Sequence, residues 1–374
     1  MNNTINDKTI KEIEELFLDL GFEKFRAKQV YRQIHVNRVN DFDQMTDLPL
    51  EKRQILKENF TIDKVKMLKT YESKIDSTKK YLFSLDDGNI IEAVYMNYKD
   101  RRTVCISSQV GCRMGCSFCA STKNGLVRNL TASELIEEVY ELERLNTDIN
   151  NIVIMGIGEP LDNYDNIKKF IEIITDEKGR NLSHRSITLS TSGLSPKIYE
   201  LADSGLDVNL AVSLHYPTDE KRKKYMPIAK KYNIKGLIKA TDYYLDKTKR
   251  RVSFEYVVID EVNNTDIDIK NLTNLMKGKN IHINLIPLNP IKEFGHGKTS
   301  NKVINEFRDK LVKNGLNATI RYSMGQDIDA SCGQLRNNYA RWIWNLVQFQ
   351  ILANSGIPTK IPMAIFQKMA MTFL

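Results

Sequence analysis

The 374-residue sequence is poor in cysteine, has no long apolar run, and carries no net charge over its first 90 residues (16 Lys+Arg, 16 Asp+Glu). Five cysteines are too few for a disulfide scaffold, and a chain of this length buries a core without crosslinks. No stretch approaches about 18 uninterrupted apolar residues, so no transmembrane helix is expected. The opening residues MNNTINDKTIKEIEELF carry acids and lack an apolar core with a cleavage site, so no secretory signal is expected. Disorder is excluded, because 41% of residues are hydrophobic and 55 Lys+Arg nearly balance 47 Asp+Glu. The expectation is a cytoplasmic chain of two or three domains, or one large α/β domain. In a reducing compartment cysteines serve metals or catalysis more often than crosslinks.

Apolar positions Ile10, Ile13, Leu16, Phe17 and Leu20 recur at helical spacing, and similar patterns cover 25–36 and 49–60. Residues 1–62 therefore read as a small helical domain. Residues 63–97 alternate, with the turn signal Asp86-Asp87-Gly88-Asn89 between two apolar stretches, which predicts a β-hairpin extension. Over 98–335, short apolar strands at 103–107, 152–157, 186–191, 208–214, 252–259 and 283–288 alternate with amphipathic helices. The first helix opens on a capping box, Thr131 with Glu134. Such alternation predicts a parallel sheet, either a partial barrel or doubly wound, with sites at the carboxyl ends of its strands. Residues 336–374 hold both tryptophans and no Asp or Glu, and read as a separate tail.

Four of the five cysteines fall within fifteen residues: Cys105, then Cys112-x3-Cys116-x2-Cys119; Cys332 stands alone. Gly111 and Gly115 let this loop turn tightly, so three thiolates can surround one centre, either zinc or an iron-sulfur cube with one iron open. No nearby His or Cys offers a fourth ligand, which disfavours structural zinc. The plain alternative is a set of buried small hydrophobes.

The cysteine loop, with Phe118 before its third cysteine, resembles the radical S-adenosylmethionine (SAM) signature. Met155-Gly156-Ile157-Gly158-Glu159-Pro160 ends the second strand, Ser190-Thr191-Ser192-Gly193 the third and Ser213-Leu214-His215 the fourth. Asn284 to Pro290 closes the sixth, and Asp327 to Leu335 surrounds Cys332. Together these motifs make residues 8–335 similar to the RlmN/Cfr family of dual-cysteine RNA adenine methyltransferases.

The resemblance implies a partial (β/α)6 radical SAM barrel with a helical accessory RNA-binding domain. It implies a [4Fe-4S] cluster on Cys112, Cys116 and Cys119, and two SAM per turnover bound by Gly158, Glu159, Ser190, Ser213, Leu214, His215 and Asn289. Adenine C2 is an electron-poor C–H carbon, so simple displacement does not methylate it. In the family's chemistry Cys332 is first methylated, and its methyl group then becomes the carbon radical that adds to the base. Cys105 releases the product, leaving a Cys105–Cys332 disulfide, and Glu92 accepts the proton. Without the resemblance, Glu92 reads as a solvent-facing strand residue, Glu159 as a solvated strand end and His215 as a satisfied loop residue. Pro160, where Cfr-like members carry Ala, implies the RlmN-like C2 reaction instead of Cfr-type C8 methylation.

The implied partners are 23S ribosomal RNA and tRNA, with a flavodoxin-type electron donor, no membrane and a monomeric state. A non-catalytic metal-cluster RNA-binding protein is the alternative from another class. Basic runs at Arg101-Arg102, Lys221-Arg222-Lys223-Lys224, Lys230-Lys231, Lys247 and Lys249-Arg250-Arg251 are candidate phosphate contacts or solvated surface.

Overall fold

A computed structural model describes residues 3–146 and 149–336, so the tail reading at 336–374 lies outside the described residues apart from Arg336. Thr9 and Glu12 form a capping box that starts α1 (Ile10–Asp19). With α2 (Phe25–His35) and α3 (Leu50–Asn59), α1 buries Ile13, Phe17, Val30, Ile34 and Leu56 in one cluster. Burying each such side chain stabilises by about 1.5–3 kcal/mol. The helical cluster docks on the rest through polar contacts. His35 Nδ1 lies 3.0 Å from the Tyr140 hydroxyl, Tyr31 donates to Asp176 at 3.1 Å, and Lys169 meets Glu12 at 2.7 Å.

Next, β1 (Lys66–Glu72), β2 (Lys79–Ser84), β3 (Ile90–Asn97) and β4 (Arg102–Cys105) pair antiparallel in that order. The expected hairpin is thus a three-stranded ribbon joined to β4. Every residue of β1 is exposed or half-buried, which leaves its sequence without apolar alternation. Glu92, solvent-facing on spacing alone, is only 3% exposed, because β3 is buried on both faces.

After β4, β5 (Gln109–Gly111) pairs antiparallel with β6 (Leu126–Asn129) and closes the cysteine loop at its neck. At Gly111 (φ +77°) a Cβ would stand 2.0 Å from the Gly125 carbonyl oxygen, so only glycine fits. Helices and parallel strands then alternate: α4 (Ala132–Leu145), β7 (Asn151–Ile154), α5 (Tyr164–Thr175), β8 (Ile187–Thr191), α6 (Ser195–Asp203) and β9 (Asn209–Ser213). They continue through α7 (Asp219–Tyr225), α8 (Ile234–Thr248), β10 (Val252–Val258), α9 (Asp266–Met276), β11 (Ile281–Pro287), α10 (Asn301–Lys313) and β12 (Ala318–Ile320).

The sheet runs β1-β2-β3-β4-β7-β8-β9-β10-β11-β12, parallel from β4 onward. All six expected parallel strands are present. β12 adds a seventh, at three residues too short for periodicity to signal. Because strand order follows chain order, the carboxyl ends of β4 and β7 through β11 line up along one rim of this open α/β barrel sheet.

The capping box of α4 fixes the helix that packs behind this rim: Thr131 accepts from the Glu134 N–H, and Glu134 from the Thr131 N–H at 2.9 Å. Thr131→Ala is expected to cost about 1 kcal/mol, read as a lower urea midpoint with unchanged slope.

Candidate active site

The strand ends surround a cleft whose empty space, including open solvent at its mouth, is about 950 Å³. Its walls include Cys112, Cys116, Cys119, Gly158, Glu159, Ser190, Ser213, His215 and Asn289. A second, smaller cavity is lined by Cys105, Val94 and Tyr98. Cys119, Arg321 and Cys332 line both cavities. All five cysteines, scattered over 228 positions of sequence from Cys105 to Cys332, thus gather in two adjoining chambers.

Among the described residues, no three His, Cys, Asp or Glu side chains converge tightly enough to hold one metal ion. An iron-sulfur cube places each thiolate on a different iron, and Cys112, Cys116 and Cys119, an all-sulfur donor set lining one cavity, are the ligand type such a cube takes. Burial pushes the Cys112 thiol up to about 12 and raises Cys116 and Cys119. Coordination to iron deprotonates such thiols outright. Cys105 is likewise pushed up to about 12, by burial first and then by Cys332, while Arg321 opposes the shift. Arg321 Nη1 stands 3.6 Å from Glu255 Oε2 and donates to the Met155 sulfur at 3.4 Å.

The end of β7 lies hard against residues 107–109. At Gly158 (φ +115°) a Cβ would stand 2.5 Å from Ser108 Oγ and 2.8 Å from the Gln109 nitrogen. The Glu159 N–H donates to Gln109 Oε1 at 2.8 Å, and its carboxylate accepts from the N–H groups of Leu161 (3.1 Å) and Ser192 (2.6 Å). Burial raises the Glu159 pKa and the Ser192 bond pulls it back. His215 (φ +55°) accepts the Val257 N–H on Nδ1 at 3.1 Å, which places its own proton on Nε2. Burial holds the ring neutral, its pKa pushed down to about 3. Asn289 Nδ2 donates to the Cys332 carbonyl at 3.2 Å.

Leu214 differs from the rest. Its side chain is fully buried in the core and absent from the cavity wall, and its carbonyl accepts from Arg222 Nε at 3.0 Å. Glu92 lines neither cavity but shares a strand face with Val94, which is paired with Cys105 and lines the second. Glu92 Oε2 accepts the Arg336 N–H at 2.9 Å, and Oε1 lies 3.7 Å from Lys80 Nζ. Burial pushes the Glu92 pKa up to about 7 against the pull of Lys80. Lys80 carries no sequence signal; only the β2–β3 pairing brings it there. Two members of the basic run at 221–224 are also engaged elsewhere: Lys221 bonds Asp268 at 2.7 Å and Arg222 is fully buried. Neither is a free phosphate contact.

Residues 106–272 match the family model described as the Radical SAM superfamily, and residues 4–62 the Ribosomal RNA large subunit methyltransferase N-terminal domain. Over 332 residues the chain is 51% identical to a protein of Lachnoclostridium phytofermentans named "Probable dual-specificity RNA methyltransferase RlmN", covering 88% of this chain and 93% of that one. The chain belongs to the RlmN family of radical SAM RNA methyltransferases. Another RlmN relative, from Clostridium novyi, is 47% identical over 342 residues, 91% of this chain and 99% of its own. A solved radical SAM methyltransferase from Sphaerobacter thermophilus superposes with a TM-score of 0.86 at 41% identity, over 90% of this chain and 100% of that one. Radical SAM membership implies SAM and a cluster, for which the three loop cysteines are the ligand type. No helix among the described residues is long and apolar enough to cross a membrane.

If the three loop cysteines hold the cluster, Cys112→Ser, Cys116→Ser and Cys119→Ser each lose most iron after anaerobic reconstitution, whereas Cys105→Ser and Cys332→Ser retain it. Iron and sulfide analysis with the visible absorption of the cluster checks this.

Proposed function

We propose that this RlmN-family chain methylates C2 of adenine in 23S ribosomal RNA and in tRNA, through a methylated Cys332. The observation that carries the reading is the position of Cys332, a residue that lines both the chamber with the three loop cysteines and the chamber with Cys105. The bound cluster and SAM supply a methyl group and a 5′-deoxyadenosyl radical, consuming two SAM per turnover. Cys332 carries the methyl group and gives up one of its hydrogen atoms to that radical, forming 5′-deoxyadenosine; the methylene radical left on Cys332 forms the new bond to C2, and the unpaired electron of the adduct would pass back to the cluster, leaving the RNA tethered as a thioether. Glu92 takes the C2 proton. Cys105, as a thiolate, attacks the Cys332 sulfur and breaks its bond to the product carbon, whose electron pair passes into the adenine-conjugated fragment and takes up a proton to complete the methyl group, leaving a disulfide that a thiol reductant reopens. Burial keeps Cys105 protonated at rest, so its attack requires a proton to leave; the Arg321 cation favours the resulting thiolate. The family match over residues 4–62 supports reading the helical segment within residues 1–62 as the RNA-binding domain, and Pro160 favours C2 over C8.

Anaerobic reconstitution followed by SAM, reductant and RNA is expected to yield 5′-deoxyadenosine together with 2-methyladenosine, and Cys332→Ala to abolish RNA methylation. An 8-methyladenosine product would assign the Cfr-type reaction, and sustained methylation by Cys332→Ala would sink the mechanism.

Glu92 acts as a base only when ionised, and burial has raised its pKa to about 7. Methylation should therefore rise with pH through about 7. Lys80→Met removes the charge that lowers this pKa, so the rising limb should move to higher pH. A pH profile of single-turnover methylation checks the shift, and an unmoved limb would rule out this base.

A further inference from the structure

Arg222, in α7, is fully buried, yet no carboxylate lies within ion-pair distance of it among the described residues. Its guanidinium is held by carbonyl oxygens alone: Nε donates to Leu214 O at 3.0 Å, and Nη2 to Ser192 O at 2.8 Å and Ser213 O at 3.0 Å. Nη1 is buried with no partner. The acid nearest in sequence, Asp219, accepts the Ile234 N–H at 2.8 Å. A buried cation without a counter-ion is costly, and carbonyl dipoles offset only part of that cost.

The three accepting carbonyls lie at the carboxyl ends of β8 and β9, and two of the residues that carry them, Ser192 and Ser213, line the cluster cavity. Ser192 joins the two sides of that wall, since its N–H donates to Glu159 while its carbonyl accepts from Arg222. Burial pushes the Arg222 pKa down to about 10, and the charge that most opposes this is that of Cys116. The end of α7 also packs on the cysteine loop, where the Ser117 N–H donates to the Tyr225 carbonyl at 2.9 Å, and Ser192 and Ser213, which hold the guanidinium, line the same cavity as Cys112, Cys116 and Cys119, so the thiolate set of that loop is the anion this geometry offers the cation.

We propose that Arg222 is the fixed counter-charge of the iron-sulfur cluster and raises its reduction potential. A [4Fe-4S] cube on three thiolates is anionic and gains a further negative charge on accepting one electron. A nearby buried cation favours the reduced form over the oxidised one, and net charge is one of the levers that set such potentials. Arg222 acts through the cluster and touches no reacting atom, so it is a positioning and tuning residue. The inference rests on Cys112, Cys116 and Cys119 holding the cluster.

The test is a one-electron redox titration, followed by electron paramagnetic resonance, of reconstituted wild-type protein, Arg222→Met and Arg222→Lys. Arg222→Met should make the cluster at least tenfold harder to reduce, a drop of about 59 mV for a one-electron couple. Arg222→Lys, which keeps the charge, should recover most of that loss. An unchanged midpoint in Arg222→Met at full cluster content would overturn the proposal, whereas failure of the wild type to assemble a cluster would overturn the ligand assignment instead.

Thermal melts of the cluster-free and reconstituted forms cover the case in which Arg222→Met is unstable. The counter-charge role requires the substitution to destabilise the reconstituted form more than the cluster-free form. Equal destabilisation of both would mark a purely structural arginine and overturn the proposal.

Discussion

Ser107 is the joint that sets the site. Its fully buried hydroxyl donates to the Glu92 carbonyl at 2.7 Å and accepts the Ile157 N–H at 3.1 Å, and its own N–H donates to Glu138 at 3.0 Å. One residue thereby ties β3, the end of β7 and α4 together, two positions after Cys105 and five before Cys112. Ser108 and Gln109 tighten the same seam by donating to the Ile157 carbonyl at 2.8 and 3.1 Å. The main chain around Cys105, Cys112 and Glu159 is therefore held by hydrogen bonds of backbone groups to one another and to the buried side chains of Ser107, Gln109 and Glu138.

Burial alone does not explain how differently the site's carboxyl groups behave. Glu159, Glu92 and Glu138 are all at most 3% exposed. Glu159 has two backbone N–H donors and its pKa is raised the least decisively. Glu92 has one such donor and Lys80 at 3.7 Å, and is pushed up to about 7. Glu138 has one donor and an oxygen without a partner, and burial drives it well above the ordinary carboxylate range. Glu138, with a single partner, is raised furthest, and the two groups with two partners each are raised less. Lys80, brought opposite by the β2–β3 pairing, opposes the burial of Glu92 and leaves it poised near neutrality.

What was legible in the sequence was whatever is local. The cysteine spacing, the Gly-Glu strand end, the six apolar strands and the Thr131–Glu134 capping box each declare themselves within a few residues. β1 and β12 escaped because one is largely solvated and the other is too short to show a period. Lys80, Arg321 and Arg222 escaped for a different reason. Each is a basic residue whose meaning depends on which strand end or loop stands opposite, and a charge run reads the same on a surface or in a core. Leu214 was drawn into the site by its motif, although its side chain packs into the core while Ser213 and His215 on either side line the cavity.

The placement of Cys332 shows why a loop and not a strand presents it. A strand side chain faces one side of its sheet, whereas Cys332 lines two chambers. The segment carrying it turns through positive φ at Gly325, Asp329 and Gly333, yet it is held from several directions. Asp327 accepts from Ser73 Oγ at 2.7 Å and the Lys74 N–H at 2.8 Å, and Lys80 donates to the Asp329 carbonyl at 3.3 Å. Beyond Cys332, the Gly333 carbonyl accepts the Ala120 N–H at 2.7 Å and the Leu335 carbonyl accepts from Ser121 at 2.8 Å. The antiparallel ribbon thus anchors one flank and the cysteine loop the other. Asn289, at the end of β11, fixes the carbonyl of Cys332 itself. The antiparallel strands before the barrel are therefore part of the site, since they supply Glu92 and Lys80 and also hold the loop that sets Cys332 between the chambers.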